Sequence, residues 1–218
     1  MSNSNFMQIL YQTFVERADL IKVGIQEHLI LVLFAMFFAI LIAVPLGVFL
    51  TNYKKLAEPI IGVVAVVQTI PSLALLGFML PLVGIGKTNA IIALTAYALL
   101  PVLRNTYTGI SEVDPSTIEA GKGMGMKRWQ ILAMIQIPLA LPVIMAGIRT
   151  STVITIGTAT LATFVGAGGL GNIIYRGITM QNTQLILAGA IPAALFAIIT
   201  DFILKKFEIK VTPQGIRS

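Results

Sequence analysis

Stretches of about 20 nearly uncharged residues recur along this chain, and that is the length a helix needs to cross roughly 30 Å of hydrocarbon. The chain has 218 residues, 56% of them apolar and 11% charged. A soluble domain carries about one-quarter charged residues, so a fold of this composition could not cover itself with polar groups. The apolar runs are continuous, whereas barrel strands alternate lipid-facing and lumen-facing residues, so the expected class is an all-α integral membrane protein. There is no cysteine, which excludes disulfides and cysteine-ligated metal. The net charge of +6 is spread between apolar spans and does not suggest nucleic acid.

Residues 1–28 read as an amphipathic extracytoplasmic segment lying on the interface, with Phe6, Ile9, Leu10, Phe14 and Ile21 set among Glu16, Arg17, Asp19, Lys22 and Glu27. It lacks the basic start, short apolar core and small-residue cleavage site of a removable signal peptide. Residues 29–204 then hold five spans: Leu29–Leu50, Ile60–Val83, Ala90–Tyr107, a long fourth from Ile131 to Val165, and Leu185–Leu204. A cytoplasmic loop occupies about 108–130, and residues 205–218 form a cytoplasmic tail. With the amino end outside, Lys54, Lys55, Arg104, Lys122, Lys127, Arg128, Lys205, Lys206, Lys210 and Arg217 fall inside, against Arg17, Lys22, Lys87 and Arg176 outside. Basic residues favour the cytoplasmic side, so this orientation is expected. The chain has no GxxxxGK[ST] nucleotide loop and no row of intramembrane carboxylates for a proton relay, so energy for transport must come from elsewhere.

The loop from Ser111 to Gln130 carries the strongest signal. Asp114 can cap a helix whose first residue is Pro115, and Gly121, Gly123 and Gly125 stop it within a few turns. Glu119, Ala120 and Gly121, then Gly125, then Ile135, Gln136, Ile137 and Pro138 reproduce the spacing of the Glu-Ala-Ala signature. In this respect the chain resembles the membrane subunits of ABC importers, with Gly121 in place of the second Ala and Ile137 in place of Leu. The resemblance implies that Glu119, Ala120, Gly121 and Gly125 belong to a coupling helix that docks on a cytoplasmic ATPase. Taken alone, the loop is equally a plain capped surface helix. Exposed Met124, Met126 and Trp129 beside Lys122, Lys127 and Arg128 fit a protein contact or the lipid interface.

Four further runs, Val67–Ala74, Leu100–Gly109, Ala146–Ser151 and Val165–Gly171, and the ending Lys210–Gly215, are similar to the osmoprotectant branch, whose substrates are glycine betaine, carnitine and choline. The resemblance implies no cofactor in this chain and no covalent chemistry. It also implies ATP and Mg bound by two partner ATPase subunits, a second permease copy or paralogue, and an extracytoplasmic substrate-binding protein. The expected location is a bacterial cytoplasmic membrane. Competing readings are a permease of the same superfamily for another solute such as methionine, a stand-alone carrier or channel, and a membrane assembly factor.

Several polar residues inside the spans need separate readings. Gln68, Thr69, Pro71 and Ser72 interrupt span two, where Pro71 removes a helical hydrogen bond; the break either lines a pathway, together with Tyr97, or is a kink whose hydroxyls re-satisfy the backbone. Pro138 and Pro142 predict a bent fourth span. Arg149 falls mid-span and must face protein or water, which suits a structural or gating role; Asp201, near the inner end of span five, is its one intramembrane candidate partner and at doubtful reach. Thr152, Thr155 and Thr158 step by three residues and cannot all line one pore. His28 reads as an interfacial residue, since no second His exists to share a metal. Gly166, Gly168 and Gly171 match G-x-G-x-x-G, but no strand precedes and no acidic residue follows before Asp201. That run is expected to be a bend or re-entrant turn at the outer face, or an outer gate.

Overall fold

The computed structural model describes the backbone of residues 3–212 and side chains from Phe6 onward; every regular element among them is helical. The last six residues, Arg217 and the end of the expected cytoplasmic tail among them, lie outside the described residues. The helices are α1 (Asn3–Glu16), α2 (Ala18–Asn52), α3 (Lys54–Thr69), α4 (Ser72–Val83), α5 (Lys87–Ser111), α6 (Pro115–Gly123), α7 (Arg128–Ile131), α8 (Ile137–Ala159), α9 (Leu170–Thr179) and α10 (Thr183–Val211). A π-helical turn, Leu132–Gln136, joins α7 to α8, and a 3₁₀ segment, Thr160–Val165, ends α8.

Four helical stretches are long and apolar enough to cross a membrane, and five if the bent pair α3–α4 counts as one span. The helix partners at each end sort the molecule into two faces. The start of α5 meets the end of α8 where Gly86 N–H donates to Val165 O at 2.7 Å, and Lys87 pairs with Glu27 on α2 at 3.3 Å. At the other face, the ends of α2 and α5 surround α6, α7 and the π turn.

Packing is inside-out relative to a soluble protein. On α2 the buried side is Leu31, Val32, Ala35, Met36, Ala39, Ala43, Gly47 and Leu50, at helical spacing and rich in small residues, while Leu33, Phe34, Phe37, Phe38, Leu41 and Ile42 face outward. Small residues let helices approach closely where lipid offers no hydrophobic drive, and large apolar ones solvate the exterior. Hydroxyls bridge the three central helices: Ser151 on α8 donates to Ala98 O at 2.8 Å, and Thr95 on α5 donates to Ala35 O at 3.3 Å.

The structure gives shape to four expectations. The segment expected to be interfacial divides at Arg17, and α2 continues without a break from Ala18 into the first long apolar stretch, with Ile21, Gly24 and His28 buried along one side. Phe14 on α1 packs with Ile21, Leu170 and Leu185, which ties α1 to the same end of the bundle. Span two is a broken helix, with α3 and α4 meeting at 97°. The fourth stretch contains the π turn just before Pro138, where a residue without N–H cannot complete the regular ladder. Finally, the glycine run is followed by a whole helix, α9, beyond the expected bend.

Candidate functional site

The break in span two brings together two residues that sequence reasoning grouped. Gln68 Nε2 donates to Tyr97 O on α5 at 2.8 Å, and Tyr97 Oη is buried without a hydrogen-bond partner. Thr69 turns back on its own helix, donating to Val66 O at 2.7 Å, while Ser72 opens α4 beyond the bend. The chain leaves helical geometry at Ile70 (ψ 127°), and Pro71 has no N–H, so the last turn of α3 keeps free acceptor capacity. Thr69, Ile70 and Pro71 are exposed on the single chain. Non-helical backbone at membrane depth is tolerated only against protein or a water-filled cavity. The carbonyl end of a half-helix also carries partial negative charge, which suits a cationic group.

At the α6 end, Asp114 caps the helix as its sequence predicts: Oδ1 accepts from Ser116 N–H at 2.9 Å and Oδ2 from Ser116 Oγ at 2.8 Å. These donors hold the Asp114 carboxyl below the usual carboxylate range. A group with a lowered folded value stabilises above its ordinary pKa, and that stabilisation disappears as pH falls through the folded value. Amide protection in α6, taken relative to the intrinsic exchange rate at each pH, is thus expected to fall under acid as Asp114 protonates, and Asp114→Asn should flatten that pH dependence. The other end closes with a Schellman motif, Met126 N–H to Gly121 O at 3.1 Å and Gly125 N–H to Lys122 O at 2.9 Å, with Gly125 at φ 78°. Glu119 and Ala120 are exposed. Gly121 is not: it faces inward, where an added Cβ would stand 2.8 Å from Ile135 Cδ1. Its small size serves packing of α6 on the π turn rather than an outward approach.

At the opposite face the structure assembles groups that the sequence left unassigned. Glu27 Oε2 accepts from Gly169 N–H at 2.9 Å, so a carboxylate from α2 caps the amino end of α9 while its Oε1 pairs with Lys87. Gly168 has φ 83°, and a Cβ there would fall 2.1 Å from Glu27 Oε2, so the turn admits the carboxylate only through glycine. Replacing Glu27 by Ala should lower the thermal midpoint of the purified protein by the equivalent of about 1 kcal/mol, and Glu27→Gln by less, since the amide still accepts. Equal midpoints for Glu27→Ala and wild type would rule out this clasp.

His28 is fully buried, Nε2 lying 3.0 Å from Ile156 O and the ring edge-on to Phe196, so it is a core residue between α2, α8 and α10 rather than an interfacial one. Arg149 finds two partners on α10: Nε stands 3.3 Å from Asp201 Oδ1, and Nη1 donates to Glu208 Oε2 at 3.0 Å. Asp201 is within reach of Arg149, and the spacing of seven residues places Asp201 and Glu208 on one helix face. Thr152 and Thr155 donate to the carbonyls four residues back, at 2.7 and 2.8 Å, and Thr158 does the same to Ile154.

Residues 43–213 match the family described as binding-protein-dependent transport system inner membrane component. A glycine betaine/carnitine/choline transport system permease protein of Bacillus subtilis (strain 168) is 52% identical over 191 residues, covering 88% of each chain. A choline transport system permease protein of the same organism is 47% identical over 214 residues, 98% of this chain and 93% of the relative. Among solved structures, an inward-facing MetNI methionine ABC transporter superposes with a TM-score of 0.82 at 26% identity, covering 91% of this chain and 99% of that one. The apolar helical bundle, the broken span, the capped loop helix and these matches together make this chain a member of the binding-protein-dependent inner membrane transport components, a permease subunit of the ABC importer type and not an enzyme.

Proposed function

We propose that this permease carries quaternary ammonium osmoprotectants such as glycine betaine, carnitine and choline inward by alternating access. Identities of 47–52% over 88–98% of the chain to permeases named for those compounds carry the substrate class. Methionine is the second reading, favoured by the TM-score of 0.82, but identity there is only 26%. That is roughly half the identity to the osmoprotectant permeases, and specificity is written in sequence, whereas backbone similarity reports the fold.

The working complex has two such permease subunits, identical or paralogous, two cytoplasmic ATPases that bind ATP and Mg, and an extracytoplasmic binding protein, all set in membrane lipid. The amino end lies outside and the carboxyl end in the cytosol. Glu119, Ala120, Gly121 and Gly125 belong to the coupling element: exposed Glu119 and Ala120 meet the ATPase, while Gly121 and Gly125 fix the helix to the π turn and shape its end. Gln68, Thr69, Ser72 and Tyr97 line the pathway. The electronegative end of α3 at their centre supports passage of a cation, and Arg149, neutralised by Asp201 and Glu208, offers no bare positive charge to repel it. Arg149 holds α8 to α10.

The test is reconstitution of the complex in liposomes. ATP-dependent uptake of labelled glycine betaine, carnitine or choline is expected, falling several-fold in Gln68→Leu. Uptake of methionine in their place would move the chain to the second reading, and uptake without any ATPase would overturn the mechanism.

A further inference from the structure

One cavity has no part in the pathway described above. It is a space of about 530 Å³ at the α6 end, bounded by Thr51 and Asn52 at the end of α2, Lys54 at the start of α3, Ser111 at the end of α5, Lys122 on α6 and Arg128 on α7. Three cations and no carboxylate line it. A smaller space of about 380 Å³ adjoins it, sharing Lys54 and Arg128 and adding Lys55. Among the described residues, Lys54, Lys55, Lys122 and Arg128 take part in no ion pair, so the cations around this cavity have no carboxylate partner within 4.0 Å. A polar group is stranded there as well: Ser111 Oγ is buried and makes no hydrogen bond.

Three unpaired cations and an orphaned hydroxyl around one cavity suit a phosphate-bearing anion. Like charges held together without a counter-charge raise the local potential and draw in an anion, and a buried hydroxyl without a partner is costly unless a ligand supplies one. Two features favour a lipid headgroup over a free phosphate. The walls are the ends of spans α2 and α5, the level at which a bilayer holds its phosphates. The space equals that of well over ten waters at ~30 Å³ each, more than a lone phosphate fills, and Ile118, Met126, Ile131 and Leu132 give it an apolar side.

We propose that this cavity binds the headgroup of an anionic phospholipid and so clamps α6 and α7 to the ends of α2 and α5. The orientation proposed above makes this the inner leaflet; the site itself does not depend on that orientation.

The experiment uses the whole transporter purified in mild detergent and exposed to phosphatidylglycerol or phosphatidylcholine, with retained lipid counted by native mass spectrometry. Wild type should retain phosphatidylglycerol preferentially. Each of Lys54→Gln, Lys122→Gln and Arg128→Gln should weaken retention about fivefold, and the three together roughly a hundredfold, as expected for cations facing an anionic headgroup. All three side chains are exposed, so the variants should fold. Lys205→Gln with Lys206→Gln, on α10, should leave retention unchanged. Wild-type retention in the triple variant would overturn the site. Competition by inorganic phosphate alone at millimolar concentration would overturn the lipid assignment in favour of a free anion. Loss of the ATPase subunits from the triple variant, with phosphatidylglycerol retained as in wild type, would overturn it in favour of a protein contact. Lipid retention is read without transport, so failure of osmoprotectant uptake would sink the proposed function and leave this site standing.

Discussion

Gly171→Ala is expected to reduce the yield of folded, detergent-stable protein several-fold. A Cβ at that position would stand 1.9 Å from Thr160 O, 2.7 Å from Thr160 C and 3.0 Å from Thr160 Cα. All three are backbone atoms of the 3₁₀ segment, so no side chain can swing aside, and α9 would have to separate from it. Two effects of opposite sign compete. Alanine in a helix is favoured over glycine by about 1 kcal/mol, whereas overpacking a tight contact costs about 1–3 kcal/mol and occasionally more. The clash is with backbone and lies far inside contact distance, so the cost wins. Gly157→Ala is the control: nothing lies within 4 Å of a Cβ there, and the same propensity gain should leave yield unchanged or slightly higher. Size-exclusion profiles of the two variants measure the difference, and matching profiles would show that α9 does not pack this closely.

The second large effect concerns coupling. Glu119→Ala removes an exposed charge, and Gly125→Val places a β-branched residue at φ 78°, a left-handed conformation costing about 1–2 kcal/mol for a non-glycine residue. Neither touches the buried interfaces of the spans, so both proteins should insert and purify with their partners. Uptake per ATP hydrolysed is expected to fall about tenfold in each, within the 5–150-fold range of coupling free energies of 1–3 kcal/mol. Parallel assays of ATPase rate and solute uptake in liposomes provide the check. Full uptake in both variants would remove α6 from the power stroke.

The site was unevenly legible beforehand. The capped helix α6 could be read because Asp114, Pro115 and Gly125 are local signals whose partners lie within a few residues. Gln68 and Tyr97 could be grouped as polar residues out of place in apolar spans, but the bond between them spans 29 positions and belongs to packing. Glu27 gave no signal, since a carboxylate near a span end ordinarily faces water; its role as cap arises from Gly169, 142 residues away. His28 misled for the same reason: a lone histidine at a span mouth looks interfacial until Ile156 O and Phe196 are seen beside it. Glu208 gives no sign in sequence of pairing with Arg149 because it lies outside the apolar run, although α10 continues in helical form to Val211 and carries it back onto α8.

Composition and hydrophobic run length determined by themselves that the chain lives in lipid as a set of helices, because in hydrocarbon every backbone group must be satisfied within its own segment. The loop spacing added the family resemblance. Which helices touch was decided by tertiary structure alone: the bend of 97° between α3 and α4, the helix α9 beyond the glycine turn, and the carboxylate partners of Arg149 and Lys87. Local sequence sets secondary structure through short-range sterics and hydrogen bonding, whereas pairing of distant polar groups depends on how closely small residues let the helices approach.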